Sequence, residues 1–244
     1  MATFHVQVEG LTSLAIDGSS TPTEDELSQF LVDGVLDITT KWLLISPADM
    51  GLFTVESSET TSNGSLTILG NIISVVREAG TSNDWRNCTY IPNTLQSRVT
   101  DVNSIYYATK YHPVYTTLDN GTISVFPAPG SDPDQFKVYY INDTPVNSSG
   151  AALEHSHSDV KYFPKKLVPL VVKYAAIKSL EAKISTYTID DEDSELVTSL
   201  SNSYNALKAD YDQIFGLAAQ EVMNTQRQEA TREQVPVNQR GEEE

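Results

Sequence analysis

His155 and His157, one residue apart, are the side chains of this 244-residue sequence best suited to chemistry. On an extended segment two such imidazoles project to one side, which is the minimal geometry for zinc or another transition metal. A third ligand has to come from Asp159, Glu154, His112 or His5, and no spacing brings any of them near, so an exposed loop pair is the stronger reading. The run Asp190, Asp191, Glu192, Asp193 and Glu195 offers carboxylates to a hard cation. It lacks the alternating ligands, central Gly and distant Glu of a calcium loop, and carboxylates in a first helical turn are stabilised by the helix dipole, so capping outweighs metal binding. Tyr106, Tyr107, Tyr111, Tyr115, Tyr139 and Tyr140 offer stacking faces for sugars or bases, but tyrosine is also an ordinary strand and interface residue. Gly-x-Ser-x-Gly, Gly-Lys-Ser/Thr and Gly-x-Gly-x-x-Gly patterns are absent from the sequence. The expectation is a non-enzymatic protein with no cofactor, no catalytic residue and no metal. A ligand- or glycan-binding β domain is the alternative, and a metal-dependent hydrolase at His155 and His157 the weaker one.

Composition points the same way. A formal charge of −17 and a pI near 4.5 exclude affinity for nucleic acid through phosphate contacts, which depend on Lys and Arg releasing counterions. The single Cys88 rules out an internal disulfide and suits a reducing compartment. The first residues lack a basic and apolar leader, and no run of apolar residues is long enough for a membrane span, so an unexported, non-membrane chain is expected. Asn63, Asn87, Asn120, Asn142 and Asn147 match the glycosylation pattern only as a by-product of abundant Asn, Ser and Thr.

The elements that would position these groups read as an α+β chain. Residues 1–22 are expected to be an arm, with Phe4, Val6 and Val8 alternating as in an edge strand. Thr23 to Glu26 spells a capping box, and Leu27, Leu31, Val35, Ile38, Trp42 and Ile45 keep one helical face apolar until Pro47. Residues 48–142 change to a period of two and are assigned to an antiparallel β domain. Its expected strands are Leu52–Val55, Leu66–Leu69, Ile72–Arg77, Ile105–Thr109, Val114–Leu118, Thr122–Phe126 and Phe136–Ile141, with Ile91–Val99 as a short helical interruption. Asp119-Asn120-Gly121 is the strongest hairpin signal. Residues 143–161 read as a linker or exposed loop, rich in Ser, Asn, Gly and His.

Residues 162–228 return to helix and, with 23–47, make a helical domain. The first run is apolar nearly all round and needs more partners than its hairpin sibling supplies; the helix at 23–47 is one candidate and a neighbouring subunit the other, with Leu167, Leu170, Val171, Tyr174 and Ile177 expected to pack against the latter. Pro169 should kink or delay that helix. The second run carries a heptad-like seam at Leu200, Tyr204, Leu207, Tyr211, Ile214, Ala218 and Val222, which predicts an antiparallel hairpin. Lys161, Lys165, Lys166 and Lys173 form a basic cluster suited to an acidic surface such as the Asp190 region of another copy. Residues 229–244 are a polar tail that cannot fold alone, in which Arg227, Arg232, Val235 and Arg240 suit a segment that orders in a partner's groove.

The stretches Ser104-Ile-Tyr-Tyr-Ala-Thr, Pro113-Val-Tyr, Gly121-Thr-Ile-Ser-Val-Phe-Pro-Ala-Pro, Lys137-Val-Tyr-Tyr-Ile, Tyr162-Phe-Pro and Leu167-Val-Pro-Leu-Val-Val-Lys-Tyr-Ala-Ala-Ile-Lys-Ser-Leu resemble virion neck proteins of tailed bacteriophages. The likeness continues through Asp191-Glu-Asp-Ser-Glu-Leu-Val and Tyr204-Asn-Ala-Leu-Lys-Ala-Asp-Tyr, covers roughly residues 25 to 215, and leaves residues 1–22 unplaced. The resemblance implies a head-to-tail adaptor assembled in the host cytoplasm and located in the virion neck. It also implies a dodecameric ring docked on the portal protein, a downstream tail or nozzle partner, a carboxyl tail reaching into the portal, and genomic DNA passing through without specific binding at ejection.

Overall fold

The computed structural model describes residues 2–61, 64–118, 121–130, 133–190 and 194–233. Its elements in chain order are α1 (Phe4–Thr12), α2 (Glu24–Ile45), β1 (Thr54–Glu56), β2 (Ser65–Thr67), β3 (Gly70–Glu78), β4 (Trp85–Asn87), β5 (Thr89–Tyr90) and α3 (Gln96–Val99). They continue as β6 (Val114–Leu118), β7 (Thr122–Phe126), β8 (Phe136–Asn142), α4 (Val168–Asp190) and α5 (Ser194–Glu233). The chain is α+β and divides into a helical unit, Met1–Leu52 with Pro145–Glu244, and an inserted β unit, Phe53–Thr144.

α1 replaces the expected edge strand. Thr3 caps it by accepting the Val6 N–H, and the N–H groups of Phe4 and His5 donate to the carbonyls of His157 and His155 at 2.7 and 2.9 Å. Those two bonds satisfy donors that a helix start otherwise leaves to water. Phe4, Val8 and Thr12 are buried at helical spacing, while Val6, which a strand would place beside them, is 54% exposed. The alternation of Phe4 and Val8 fits both periods, and the available carbonyl partners decide for helix.

α2 begins at the capping box: the Thr23 N–H donates to the Glu26 carboxylate at 2.7 Å and the Glu26 N–H to the Thr23 hydroxyl at 3.3 Å. Leu27, Leu31, Val35, Ile38 and Trp42 are buried as the spacing predicts. At Gly34 the helix meets Tyr174 so closely that a Cβ would lie 3.0 Å from its ring. α4 starts after a short 3-10 turn, Lys165–Leu167, so Pro169 occupies its first turn, where no helical N–H is lost; the proline delays the helix rather than kinking it.

The apolar circumference of α4 is closed within the chain, which corrects the expected inter-subunit role of its residues. Leu167, Leu170, Val171 and Ile177 are buried, and Tyr174 packs against Gly34 and Tyr211. α1, α2 and α5 all pack on α4. The sequence reading counted α1 as an arm, and three helical partners suffice where two do not. Residues 143–161 also depart from expectation. Rather than a linker, the segment from Pro145 onward is a folded loop of the helical unit, with Leu153 and Val160 buried and the Asn147 side chain accepting the N–H groups of Ser149 and Ala151 at 3.0 Å.

The β unit holds two four-stranded sheets, ordered β1-β8-β3-β4 and β2-β7-β6-β5. The short run from Trp85 to Tyr90 passes from one sheet to the other through the buried Cys88, so β5 lies parallel to β6 although every other pair is antiparallel. Ile68, Val75, Cys88, Ile123, Val125, Phe136 and Val138 form the core. Leu118 pairs with Thr122 around the expected hairpin, whose Asp119 and Asn120 lie outside the described residues. Gly121 has φ +90° and approaches the Ile68 carbonyl so closely that a Cβ would sit 2.2 Å from its oxygen. The expected strand Ile105–Thr109 is a loop instead.

Candidate interaction surfaces

The histidines come together with partners the sequence did not place. His155 Nδ1 lies 3.1 Å from the Ser28 hydroxyl and its Nε2 3.6 Å from a Glu24 carboxylate oxygen, while the His5 ring meets it edge-on with centroids 5.8 Å apart. Ser, His and carboxylate in that order are the members of a nucleophilic triad. The Ser28 hydroxyl, however, bonds back to the Glu24 carbonyl at 2.9 Å and accepts the His155 N–H at 3.0 Å. Its hydrogen and lone pairs tie α2 to the 145–161 loop, so the constellation is a fastening between elements. His5 Nε2 bonds the Ile16 carbonyl at 2.9 Å and thereby holds the segment after α1. His157 Nδ1 accepts the Glu154 N–H at 3.0 Å, and Asp159 accepts the Ser148 N–H at 2.9 Å. Among the described residues no three His, Cys, Asp or Glu side chains converge on a point where a metal ion could sit.

The tyrosine run divides into two populations. Tyr115 and Tyr140 pack against the sheet core, and Tyr139 lies beneath Lys137, whose ammonium pairs with Glu56 at 2.7 Å and covers the Trp85 ring at 4.3 Å. Tyr106, Tyr107 and Tyr111 stand exposed on the loop from Gln96 to Pro113, beside Val102 and Ile105, which is 92% exposed. The sequence reading took Ile105 for a strand residue. The turn chemistry of Asp101-Val-Asn-Ser was the signal against that: Asp101 accepts the Asn103 N–H and Ser104 the Tyr106 N–H.

The basic cluster is dispersed. Lys173 pairs with Asp210 of α5 inside the helical unit, Lys161 covers Tyr162, and Lys166 covers Trp42. Tyr211 donates to Asp37 at 3.4 Å; burial first, then that carboxylate, pushes its phenol well above the usual tyrosine range. Burial likewise pushes the Cys88 thiol up to about 12. The acidic run near the α4–α5 connection lies largely outside the described residues, which include Glu195 in the first turn of α5.

α5 is longer than the hairpin it serves. The pairs Lys173–Asp210 and Tyr174–Tyr211 set the register, and α4 has 23 residues against 40 in α5. The stretch Leu217–Glu233 therefore runs past the start of α4 by roughly 25 Å at 1.5 Å per residue. It carries Leu217 and Met223, both exposed, and the exposed Arg227. The side chain of Arg232, together with Val235 and Arg240, lies outside the described residues. Charge is uneven: the helical unit has 11 Lys and Arg against 24 Asp and Glu, net −13, and the β unit 5 against 9, net −4. No helix among the described residues is long and apolar enough to cross a membrane. No protein-family model matches the chain, and no curated protein matches its sequence.

Proposed function

We propose that this chain is a non-enzymatic head-to-tail adaptor of a tailed-phage neck, docking on a portal as a ring and lining part of the DNA conduit to the tail. The observation that carries the reading is the overhang of α5. An unaccompanied helix of this length is marginal in water, because most helical stability in proteins comes from packing an apolar face. Leu217 and Met223 supply such a face, and the mixed-charge residues 229–244 follow it, as suits a segment completed by a portal groove. The acidic composition supports a conduit function, since phosphate slides past carboxylates without being held.

The test is to mix the full chain, and a chain cut after Gly216, with portal rings of the same virion and to follow binding by sedimentation and electron microscopy. The cut falls beyond Phe215, whose ring meets Trp42, so the hairpin packing stays complete. The full chain is expected to decorate one end of the portal and the shortened one to lose binding. Equal binding by both, or no binding by either, refutes the proposal.

A further inference from the structure

We propose that the Gln96–Pro113 loop is the surface by which one copy of this chain holds the next, seating Val102, Ile105 and Tyr106 on the acidic helical unit of a second copy; this deepens, and rests on, the adaptor reading. The loop is already rigid. The Ser104 N–H donates to the Asp101 carbonyl at 2.9 Å, the Tyr107 N–H to the Ser104 carbonyl at 3.1 Å, and the Ala108 N–H to the Val99 carbonyl at 3.0 Å. Val99 and Ala108, each 2% exposed, anchor its two ends. A tip held this firmly loses little freedom on binding, which favours it as a contact site. What it presents is apolar: Val102 is 71% and Ile105 92% exposed, with Tyr106 and Tyr107 alongside. Two aliphatic side chains among the rings suit a protein surface better than the face of a sugar.

Charge identifies the occupant. Two copies at −17 each repel, so they can meet closely only where the sign is locally reversed. Of the five cations in the β unit, Arg77 is paired with Asp134, Arg86 with Asp84 and Lys137 with Glu56. The remaining two, Arg98 and Lys110, form no ion pair among the described residues, and both lie within this loop on either side of its apolar tip, with Asp101 as the loop's single acid. Lys110 covers the exposed ring of Tyr111 at 5.2 Å. An apolar tip between two uncompensated cations fits an acidic protein surface, and the helical unit of another copy, at net −13, is one.

A photoreactive benzoylphenylalanine at position 106, placed in a full chain prepared in light and heavy isotopic forms and mixed, reads the contact directly, both free at high concentration and on portal rings. Crosslinks from 106 to helical-unit peptides of the other isotopic form are expected. Ile105→Asp, at a position too exposed to disturb folding, should weaken copy-to-copy association about tenfold or more, as should Arg98→Glu with Lys110→Glu, and salt should act in the same direction. Absence of intermolecular crosslinks in both settings, crosslinks confined to one isotopic form, or unchanged association by Ile105→Asp overturns the proposal. So does a loss of binding to anionic lipid vesicles, rather than of self-association, in that variant. Portal binding that survives while these results fail removes only this interface; intermolecular crosslinks in a chain that ignores portal remove the adaptor reading instead.

Discussion

Where α4 completes its burial decides whether the isolated chain is a folded monomer or a fragment awaiting neighbours, and Leu170→Ala measures it. Leu170 is 1% exposed and lies on a helix packed by α1, α2 and α5. Truncating such a leucine removes its transfer free energy and leaves a cavity, at a cost of 2–5 kcal/mol, here about 3 because three surrounding helices limit collapse. With an m-value of roughly 2 kcal/mol per M of urea, the unfolding midpoint should fall by about 1.5 M. The assay is far-UV circular dichroism of the isolated full chain, since the long helices all lie in the helical unit. Leu217→Ala, at a site 58% exposed, is the control and should shift the midpoint by less than about 0.3 M. A Leu170→Ala shift as small as that control would show that Leu170 is not enclosed by α1, α2 and α5 in the isolated chain.

Thr23→Ala removes the hydroxyl that accepts the Glu26 N–H, leaving the Thr23 backbone N–H on the Glu26 carboxylate, and should cost about 1 kcal/mol, read as a midpoint shift by the same dichroism signal. Cys88 should resist thiol reagents at neutral pH until the β unit opens, because its thiol is buried and stays protonated. Its folded pKa of about 12 lies above the reference value of 9.0, so below 9 both states hold the proton and Cys88 has no effect. Above 9 the unfolded chain's thiol ionises first, so stability should fall as pH rises from about 9; urea melts should show that slope, and Cys88→Ala should remove the part that precedes the raised tyrosines' own loss above 10. Arg77→Ala removes a buried guanidinium from the half-buried Asp134 and from the carbonyls of Pro127 and Glu78, with an expected cost of about 3 kcal/mol and a marked rise in the rate of Cys88 labelling.

Elements defined by a long, one-sided period were legible from the residues. Leu27 to Trp42 announces α2 because a capping box fixes its start and a steady apolar stripe its face, and the seam from Leu200 to Ile214 announces the hairpin on the same ground. What could not be read was set by partners distant in sequence. Phe4 and Val8 satisfy both helix and strand spacing, and the choice rests on carbonyls of His155 and His157, some 150 residues away. The parallel β5–β6 pair depends on a crossing at Cys88 too short to carry a periodic signal. The error over α4 followed from that over α1: a helix apolar all round demands several neighbours, but its own sequence does not say whether they belong to the same chain. Of the candidate groups, the histidine pair was visible as residues, but its capture by Ser28 and Glu24 was not, because no local spacing encodes a contact between α2 and a loop over a hundred residues later.

The seam of α5 does not stop where its internal partner stops. Leu200, Tyr204, Leu207, Tyr211 and Ile214 face the hairpin as half-buried or buried side chains, and the same spacing continues through the half-buried Ala218 and Val222 beyond the start of α4. The side chains on the seam shrink at that point, from tyrosine and isoleucine to alanine and valine, while Leu217 and Met223 beside it stay exposed. A helix that needed only solvent beyond Phe215 would have no physical reason to keep an apolar stripe in register, because each such residue exposed to water forfeits its transfer free energy. Small residues on a maintained stripe let a partner approach closely, as they do wherever helices meet at short range. That pattern supports the proposed external surface for α5, which would take up the seam where α4 leaves it, with Leu217, Ala218, Val222 and Met223 as its contact residues rather than the buried first half of α4.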